Sequence, residues 1–517
     1  MTLPPPDEWP VADPFDGPVT DLLAERVRST PDATAVVDAD RDRKWTYAAF
    51  DDYVSRLAGR LESHAVGDRL GSLLGTGVAF AGAYFAAGRR GASVVPLNPD
   101  LPAERLRAQA ERTAVSSLVC RPDTETLAAT VAPERVSVTS LEEPGGESTD
   151  AAAPQRNAAP APVERRLDAE RVVLFTSGTT GEPKGVRLTA GNLVASAVGS
   201  AARLGVEPGD RWLAPLPTDH MGGLAPLVRS TLYGTTTVVQ RSFDADATAR
   251  VLAAHDVTGV SLVPTMLSRL LDAGWTPPPS LRFVLLGGAP AGEALLDRAL
   301  GRDVPVYPTY GTTETASQVA TATPAEVVSH PGTVGRPLDG TEVVVVPDWG
   351  DGRDDPSPLP PGERGELVVS GPTVSPGYLD PDATAAAFDS RGVHTGDLGY
   401  ADADGRLWVL GRVDDRIVTG GENVAPDRVV AALTARDDVA DAAVVGLPDE
   451  EWGERVAALV VPDGADLSPT DLLDRVRDRL ADYEVPKTVA VADTLPRTAS
   501  GTVDREAVRE QLANDGT

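Results

Sequence analysis

A loop rich in glycine and hydroxyls, set between two apolar runs, constrains this chain more than any other stretch. Residues 171–189 read RVVLFTSGTTGEPKGVRLT. Arg171 to Phe175 is a short apolar run of the kind that forms a buried strand. Val186 and Leu188 resume strand-like alternation, so the loop is expected between two strands. Within it, Thr176, Ser177, Thr179 and Thr180 are packed among Gly178, Gly181 and Gly185, with Lys184 near the end. Glycines let successive N–H groups converge on one concavity. The hydroxyls add donors, and Lys184 adds a movable point charge. That combination suits phosphate. It is not a Walker A loop, because Lys184 is followed by Gly185, where that pattern needs Ser or Thr and then a helix.

Composition narrows the class. A chain of 517 residues makes room for several domains. It contains no run of eighteen apolar residues, so no transmembrane helix is expected. The opening MTLPPPDEWPVADPFDG lacks the basic and apolar regions of a signal peptide. A single cysteine, Cys120, excludes an internal disulfide framework and fits a reducing interior. The net charge of −30 argues against a nucleic-acid binder. The only lysines are Lys44, Lys184 and Lys487. An acidic, lysine-poor chain of this kind resembles haloarchaeal cytoplasmic proteins, whose surface carboxylates hold water while salt screens their repulsion.

Along the chain, residues 1–16 read as a Pro-rich tail. Helices are expected at 21–28, 47–63 and 79–89, and strands at 33–38, 44–47, 69–74 and 91–97. This alternation predicts an α/β fold with mostly parallel, doubly wound sheets. Residues 142–165, low in bulky apolar side chains and rich in Pro, Ala and Gly, read as an exposed connection. Thr189 or Asn192 can cap a helix ending near Gly205. A strand at 257–263 leads to a helix from Pro264 to Leu271. A strand at 281–286 ends in Gly287-Gly288-Ala289-Pro290, a Gly-rich turn of the type that binds ligands at strand carboxyl ends. Residues 304–307 form another strand that runs into Tyr310-Gly311-Thr312-Thr313-Glu314-Thr315. There Glu314 is a hard carboxylate among hydroxyls, suited to Mg²⁺. Residues 335–410 are strand-rich and expected to form a small barrel. They contain His394-Thr395-Gly396-Asp397, whose carboxylate is suited to a vicinal diol. After residue 412 a small α/β unit follows, with a helix at 427–435, strands at 442–446 and 456–461, and a helix at 469–481.

The glycine-rich loop, the Tyr310–Thr315 stretch, His394–Asp397 and the long segment Gly411–Pro426 resemble, in order, the motifs of the adenylate-forming superfamily of acyl- and aryl-CoA ligases. The resemblance spans roughly residues 18–512. It implies a large N-terminal domain over 17–412, holding doubly wound sheets and a small β-barrel, and a mobile C-terminal lid over 413–517. It implies ATP, Mg²⁺ and CoA as reactants and cofactor, with Lys184 and Glu314 at the phosphates and Glu314 as metal ligand. Nucleotide contacts then fall to Thr176, Ser177, Gly178, Thr179, Thr180, Gly181, Gly288, Ala289, Tyr310, Gly311, Thr312, Asp397 and Arg412. Asp414 becomes the hinge, and Gly420 and Gly421 leave room for the pantetheine arm of CoA. His220 becomes a catalytic residue and a wall of the acyl pocket.

The stretches around His220, Ser261–Leu267, Leu286–Pro290 and Tyr310–Thr321 look most like o-succinylbenzoate–CoA ligases of menaquinone synthesis. Ser317 and Gln318 would then meet an extra polar group of the substrate. Another aryl- or medium-chain acyl-CoA ligase is the alternative within enzymes. One departure stands out. Thr502 occupies the position after Gly501 where the superfamily carries its adenylation lysine, and it supplies no charge. Lys487, Arg497 and Arg505 are the candidate replacements. The loss also keeps open a non-enzyme that binds nucleotide or acyl-CoA.

Overall fold

The structure, a computed structural model, describes residues 21–61, 64–134, 136–142, 144, 167–176, 183–347, 357–413, 415–435, 438–449, 451–464, 467–468, 472–473, 476–477, 479–497 and 503–515. The expected tail at 1–16, nearly all of the 142–165 connection and six residues of the 469–481 helix lie outside these residues.

Two sheets make the body of the chain. One runs Ser137–Ser140, Ser117–Cys120, Arg69–Leu73, Ser93–Pro96, Glu170–Thr176, Lys184–Thr189. It is parallel throughout, except that its last two strands form an antiparallel hairpin. The other has nine strands, parallel across its middle and antiparallel at both edges. Its central strands include Gly259–Leu262, Phe283–Leu286 and Val306–Tyr310. Strands such as Ser93–Pro96 and Phe283–Leu286 are buried at every position, the continuous apolar pattern of sheets covered on both faces.

Helices fill the space between the sheets. Tyr47–Arg60, Val78–Arg90 and Met221–Tyr233 share one buried cluster with Val36 of one sheet and Val94 and Val172 of the other. The Val78–Arg90 helix is buried almost all round, which its Ala and Gly content permits. A Cβ at Gly82 would lie 2.4 Å from the Tyr53 ring, so the two helices approach as closely as they do because that residue is glycine. Thr189 and Asn192 form a reciprocal capping box at the start of the helix Ala190–Leu204. Asn192 Nδ2 also donates to the Pro372 and Val374 carbonyls, 2.8 Å each.

Residues 342–412 carry the strand-rich unit the sequence announces. Among the described residues its strands form an open five-stranded antiparallel sheet rather than a closed barrel. The long strand Gly392–Ala401 pairs with Phe388–Asp389 at its start and with Leu407–Arg412 at its end, with irregular register between. A separate core lies beyond residue 416, built on the hairpin of Val439–Asp449 and Gly453–Pro462. Val444, Val456 and Val460 face one cluster, and Val445, Leu447 and Leu459 face another that includes Val508 and Leu512. Both strands run longer than their apolar runs predict, because ladder hydrogen bonds extend pairing into flanks that side-chain burial does not mark.

One polar group fixes the start of the loop-bearing hairpin. The Glu170 carboxylate accepts from Arg69 Nε and Nη2 at 2.8 and 3.1 Å, Arg187 Nε at 2.8 Å and Ser93 Oγ at 2.9 Å. Burial opposes the charge. The two guanidiniums outweigh burial and hold the carboxyl below its usual range. Glu170→Ala strands Arg69 and Arg187 together, and should lower the unfolding free energy by about 2 kcal/mol. Chemical denaturation at neutral pH measures it. Glu170→Gln should cost less than Glu170→Ala, because its amide oxygen still accepts.

Candidate active site

The hairpin register sets the first part of the site. Thr176 ends one strand and lies opposite Lys184, which begins the next. The expected strand–loop–strand arrangement is therefore present. Ser177, Gly178, Thr179, Thr180 and Gly181 lie outside the described residues. Lys184 points its ammonium at the face of Tyr378, with Nζ 5.2 Å from the ring centroid. The Tyr378 hydroxyl donates to Glu314 Oε1 at 2.9 Å. Lys184 and Glu314, far apart in sequence, thus meet through one aromatic side chain.

Glu314 sits in a turn whose geometry depends on Gly311. A Cβ at position 311 would lie 1.5 Å from the Ser317 carbonyl oxygen. The return of the chain uses positive φ at Ala316 and Ser317, 53° and 104°, uncommon backbone for residues with a side chain. Thr312 closes the turn by donating its N–H to Thr315 Oγ1 at 3.1 Å. Ser317 is half-buried at this turn. Gln318 is 1% exposed and gives its amide nitrogen to Thr321 Oγ1 at 2.7 Å, while its Oε1 has no partner among the described residues.

Tyr310 ends the strand before this turn and carries the second part. Its hydroxyl donates to Asp397 Oδ2 at 2.6 Å, and Arg412 Nη1 donates to Asp397 Oδ1 at 3.2 Å. Asp397 and Arg412 are register partners on adjacent strands. Burial pushes the Asp397 carboxyl up, and Arg412 and the Tyr310 hydroxyl pull it back only in part. Tyr310 is raised well above its usual value by burial and the Asp397 charge, so it remains a donor. The two parts lie within electrostatic reach of each other. The Glu314 charge adds to the upward push on Asp397, and Arg412 acts on Tyr378.

Below Asp397, Glu366 accepts from the Gly396 N–H at 3.0 Å and faces His394 Nδ1 at 3.0 Å, while His394 Nε2 lies 3.3 Å from Asp389. This trio, in which Glu366 is buried and Asp389 half-buried, holds the turn that presents Asp397. Gly288 and Ala289 follow the neighbouring strand Phe283–Leu286 at the same edge of the sheet. Gly288 is exposed with φ of +81°, and the Gly287 N–H donates to the Leu262 carbonyl at 3.1 Å. His220 precedes the helix Met221–Tyr233, its side chain 36% exposed and 3.6 Å from Asp219. No contact among the described residues ties it to Lys184, Glu314 or Asp397.

The C-terminal unit supplies further groups. Gly420 and Gly421 form a two-residue hairpin turn with positive φ at both, 59° and 85°, a requirement of the turn itself. Trp452 covers Gly420: a Cβ there would lie 2.7 Å from the indole. Lys487 Nζ stands 3.2 Å from the centroid of that 40%-exposed ring. Arg497 pairs with Asp441 at 2.7 Å. Arg505 pairs with Asp415, and with Asp427 at 3.7 Å. Burial, with Arg509 and Arg412, lowers the Arg505 guanidinium to about 10. All three candidate replacements for the missing lysine are therefore engaged with other groups. Asp414 and Thr502 lie outside the described residues.

Sequence reasoning missed Tyr378 and Trp452. Tyr378 follows Pro376-Gly377 in a stretch without periodicity, and only its long-range contacts disclose it. Trp452 had a local signal, a large aromatic directly after acidic residues 449–451, where solvent exposure is the expectation.

The chain is similar to known proteins over most of its length. Residues 23–379 match the AMP-binding enzyme family and residues 429–502 the AMP-binding enzyme C-terminal domain. The 2-succinylbenzoate–CoA ligase of Bacillus pumilus is 36% identical over 492 residues, covering 95% of this chain and 97% of that one. The o-succinylbenzoate CoA synthetase of Bacillus subtilis, solved with its acyl-adenylate intermediate, superposes with a TM-score of 0.85 at 33% identity, over 96% of this chain and 99% of that one. The same synthetase solved with ATP and magnesium gives a TM-score of 0.83 at 33% identity, over 95% and 99%.

The His394 trio makes a pH prediction. Burial disfavours the imidazolium, but Glu366 and Asp389 outweigh it and raise the pKa above the ordinary 6.5. The stabilisation is then fully present below 6.5 and is lost as pH rises through the folded-state value. Thermal unfolding in high salt should show His394→Asn losing less stability than the parent between neutral and alkaline pH.

Proposed function

The chain belongs to the AMP-binding enzyme family, and from that premise we propose an ATP-dependent acid–CoA ligase acting on 2-succinylbenzoate, a step toward menaquinone. The observation that carries the reading is the full-length match to 2-succinylbenzoate–CoA ligases, end to end through both family domains. In the first step a carboxylate oxygen of the acid attacks the α-phosphorus of ATP, the bond to the β-phosphate oxygen breaks, and pyrophosphate leaves. In the second, the CoA thiolate attacks the acyl carbon and AMP leaves with the bonding pair.

The described side chains suit these steps in stated ways. Asp397 has two acceptor directions occupied, by Tyr310 and Arg412, and a carboxylate has about four. Two remain for the ribose hydroxyls. The exposed Gly288–Ala289 turn and the Tyr310–Thr312 backbone give the adenine a strand-end platform. Lys184 neutralises phosphate charge. Glu314 fits Mg²⁺ in a particular sense. Among the described residues no group of three or more His, Cys, Asp or Glu is arranged to hold a metal ion, so an all-protein cage is not what they offer. One carboxylate with substrate phosphates and water is the donor set Mg²⁺ favours. Bound there, the ion supplies charge neutralisation. Ser177–Gly181 belong to the same reading as backbone and hydroxyl donors to phosphate, Asp414 as hinge, and His220, Ser317 and Gln318 as the acid's surroundings. Gly420 and Gly421 belong to it as the pantetheine passage, with Trp452 and Lys487 beside them as an aromatic face and a cation suited to the CoA nucleotide.

The acidic, lysine-poor composition supports a finer part of the reading: a cytoplasm of high salt. No described helix is long and apolar enough to cross a membrane.

The test is an assay in molar KCl with ATP, Mg²⁺, CoA and 2-succinylbenzoate, reading AMP and thioester. Both products are expected, and activity should fall steeply as salt is withdrawn. Thr502→Lys should raise the adenylate-forming rate by tenfold or more, the scale of about 1.4 kcal/mol of added transition-state stabilisation, and leave the rate from synthetic acyl-AMP unchanged. Thioester from acyl-AMP but none from ATP would sink the first step as proposed here. Turnover of benzoate or octanoate in preference to 2-succinylbenzoate would sink the substrate.

A further inference from the structure

We infer that Tyr378 is the positioning residue that sets both polar groups at the phosphate end of the site, fixing one oxygen of Glu314 through its hydroxyl and restraining the Lys184 ammonium on its ring face. This rests on the reading above, in which Glu314 holds Mg²⁺ and Lys184 meets phosphate.

The segment that carries Tyr378 is stitched between the two elements it serves. On one side it pairs with the strand Lys184–Thr189: Val186 bridges Tyr378, the Arg187 N–H donates to the Gly377 carbonyl at 3.0 Å, and the Leu379 N–H donates to the Gly185 carbonyl at 2.8 Å. On the other side the Ser375 N–H donates to the Glu314 carbonyl at 2.7 Å, while Ser375 Oγ donates to the Arg187 carbonyl at 2.6 Å. A Cβ at Gly185 would lie 2.5 Å from Leu379, so glycine is what lets this segment close on the strand. The Tyr378 ring is 8% exposed and packs edge to face on Phe388, with centroids 5.6 Å apart. A residue held this firmly transmits little motion.

Its hydroxyl therefore has a fixed origin for the 2.9 Å bond to Glu314 Oε1. A carboxylate only accepts, so the hydroxyl is the donor of this bond. With one carboxylate oxygen engaged, the other is presented in a defined direction. Outer-sphere hydrogen bonds of this kind orient a metal ligand. The ring face does a separate job. An ammonium over an aromatic face is attracted to it, which limits the many rotamers of Lys184 to those near the loop.

The two contacts are separable by substitution. Tyr378→Phe keeps the ring and loses the hydroxyl. Tyr378→Leu loses both. The measurement is calorimetric ATP binding in high salt, with and without Mg²⁺, which needs no turnover. Tyr378→Phe should reduce the factor by which Mg²⁺ tightens ATP binding about tenfold, and leave Mg²⁺-free ATP binding unchanged. Tyr378→Leu should in addition weaken Mg²⁺-free binding several-fold. Glu314→Gln should lose at least as much of the Mg²⁺ factor, and the double variant should lose no more than Glu314→Gln alone, since Tyr378 acts through that carboxylate. An unchanged Mg²⁺ factor in Tyr378→Phe overturns the inference while leaving the proposed function in place. So does an equal loss with and without Mg²⁺, the mark of a merely structural role. A parent protein that binds no ATP overturns the proposed function first, and the inference with it.

Discussion

The antiparallel register between Glu170–Thr176 and Lys184–Thr189 is the constraint on which the rest depends. A side chain's face alternates along a strand, so a slip of one residue would reverse every position in the pair. With Thr176 opposite Lys184, the strand's outer edge is free to receive the segment around Tyr378. The anchor lies at the other end of the hairpin, where Glu170 gathers Arg69, Ser93 and Arg187 from three strands. A register set by charge at one end thus decides which cation stands at the other. That cation is the one positive charge of the expected phosphate loop.

The remaining polar groups reach the site by a different route. Tyr310, Glu314, Asp397 and Arg412 sit on strands and turns shaped in part by backbone geometry that few residues tolerate. Gly311 has no Cβ because the Ser317 carbonyl occupies that space. The strand irregularity between Leu398 and Gly399 lets Asp397 face Arg412 while the following residues continue the ladder. Burial then raises the cost of the Asp397 charge, and Tyr310 and Arg412 offset part of it. A poorly solvated carboxylate with spare acceptor capacity is ready for a diol, because little water has to be removed before binding.

Much of this was legible in the sequence, and the reason is local. Strand and helix alternation follows from apolar periodicity. The Thr189–Asn192 capping box, the helix end at Gly205 and the placement of the loop between strands all rest on residues within one turn of each other. What stayed hidden depends on distant partners. Tyr378 has no periodic setting; it matters because of Lys184 and Glu314. The open sheet in place of a barrel has the same cause, since closure depends on pairing between strands that sequence spacing does not specify. The long hairpin Val439–Pro462 was read short because its ends carry Asp, Glu and Arg, and ladder pairing leaves no mark in composition.

An acidic chain that grips an anionic nucleotide looks self-defeating until distance is considered. The net charge of −30 acts through solvent, and at molar salt the Debye length is about 3 Å. Beyond that range the surface carboxylates exert almost no force on an approaching phosphate. Within the cleft the relevant contacts are comparable to or shorter than hydrogen-bond lengths plus one atom, and burial excludes the screening ions. There the buried Asp397 counts at nearly full strength, while the half-buried Lys184 and Arg412 are screened in part. The same argument bears on the position of Thr502. Lys487, Arg497 and Arg505 are each held against an aromatic ring or a carboxylate. A distant cation cannot replace a missing one through salt, so any substitute has to arrive in contact. In the proposed rotation of the C-terminal unit, that means breaking the Arg505 pairs with Asp415 and Asp427. Asp427 is already pushed up to about 6 by burial and by Asp397. Asp415 still holds the guanidinium when Asp427 lets go, so both pairs have to break before Arg505 can reach another site.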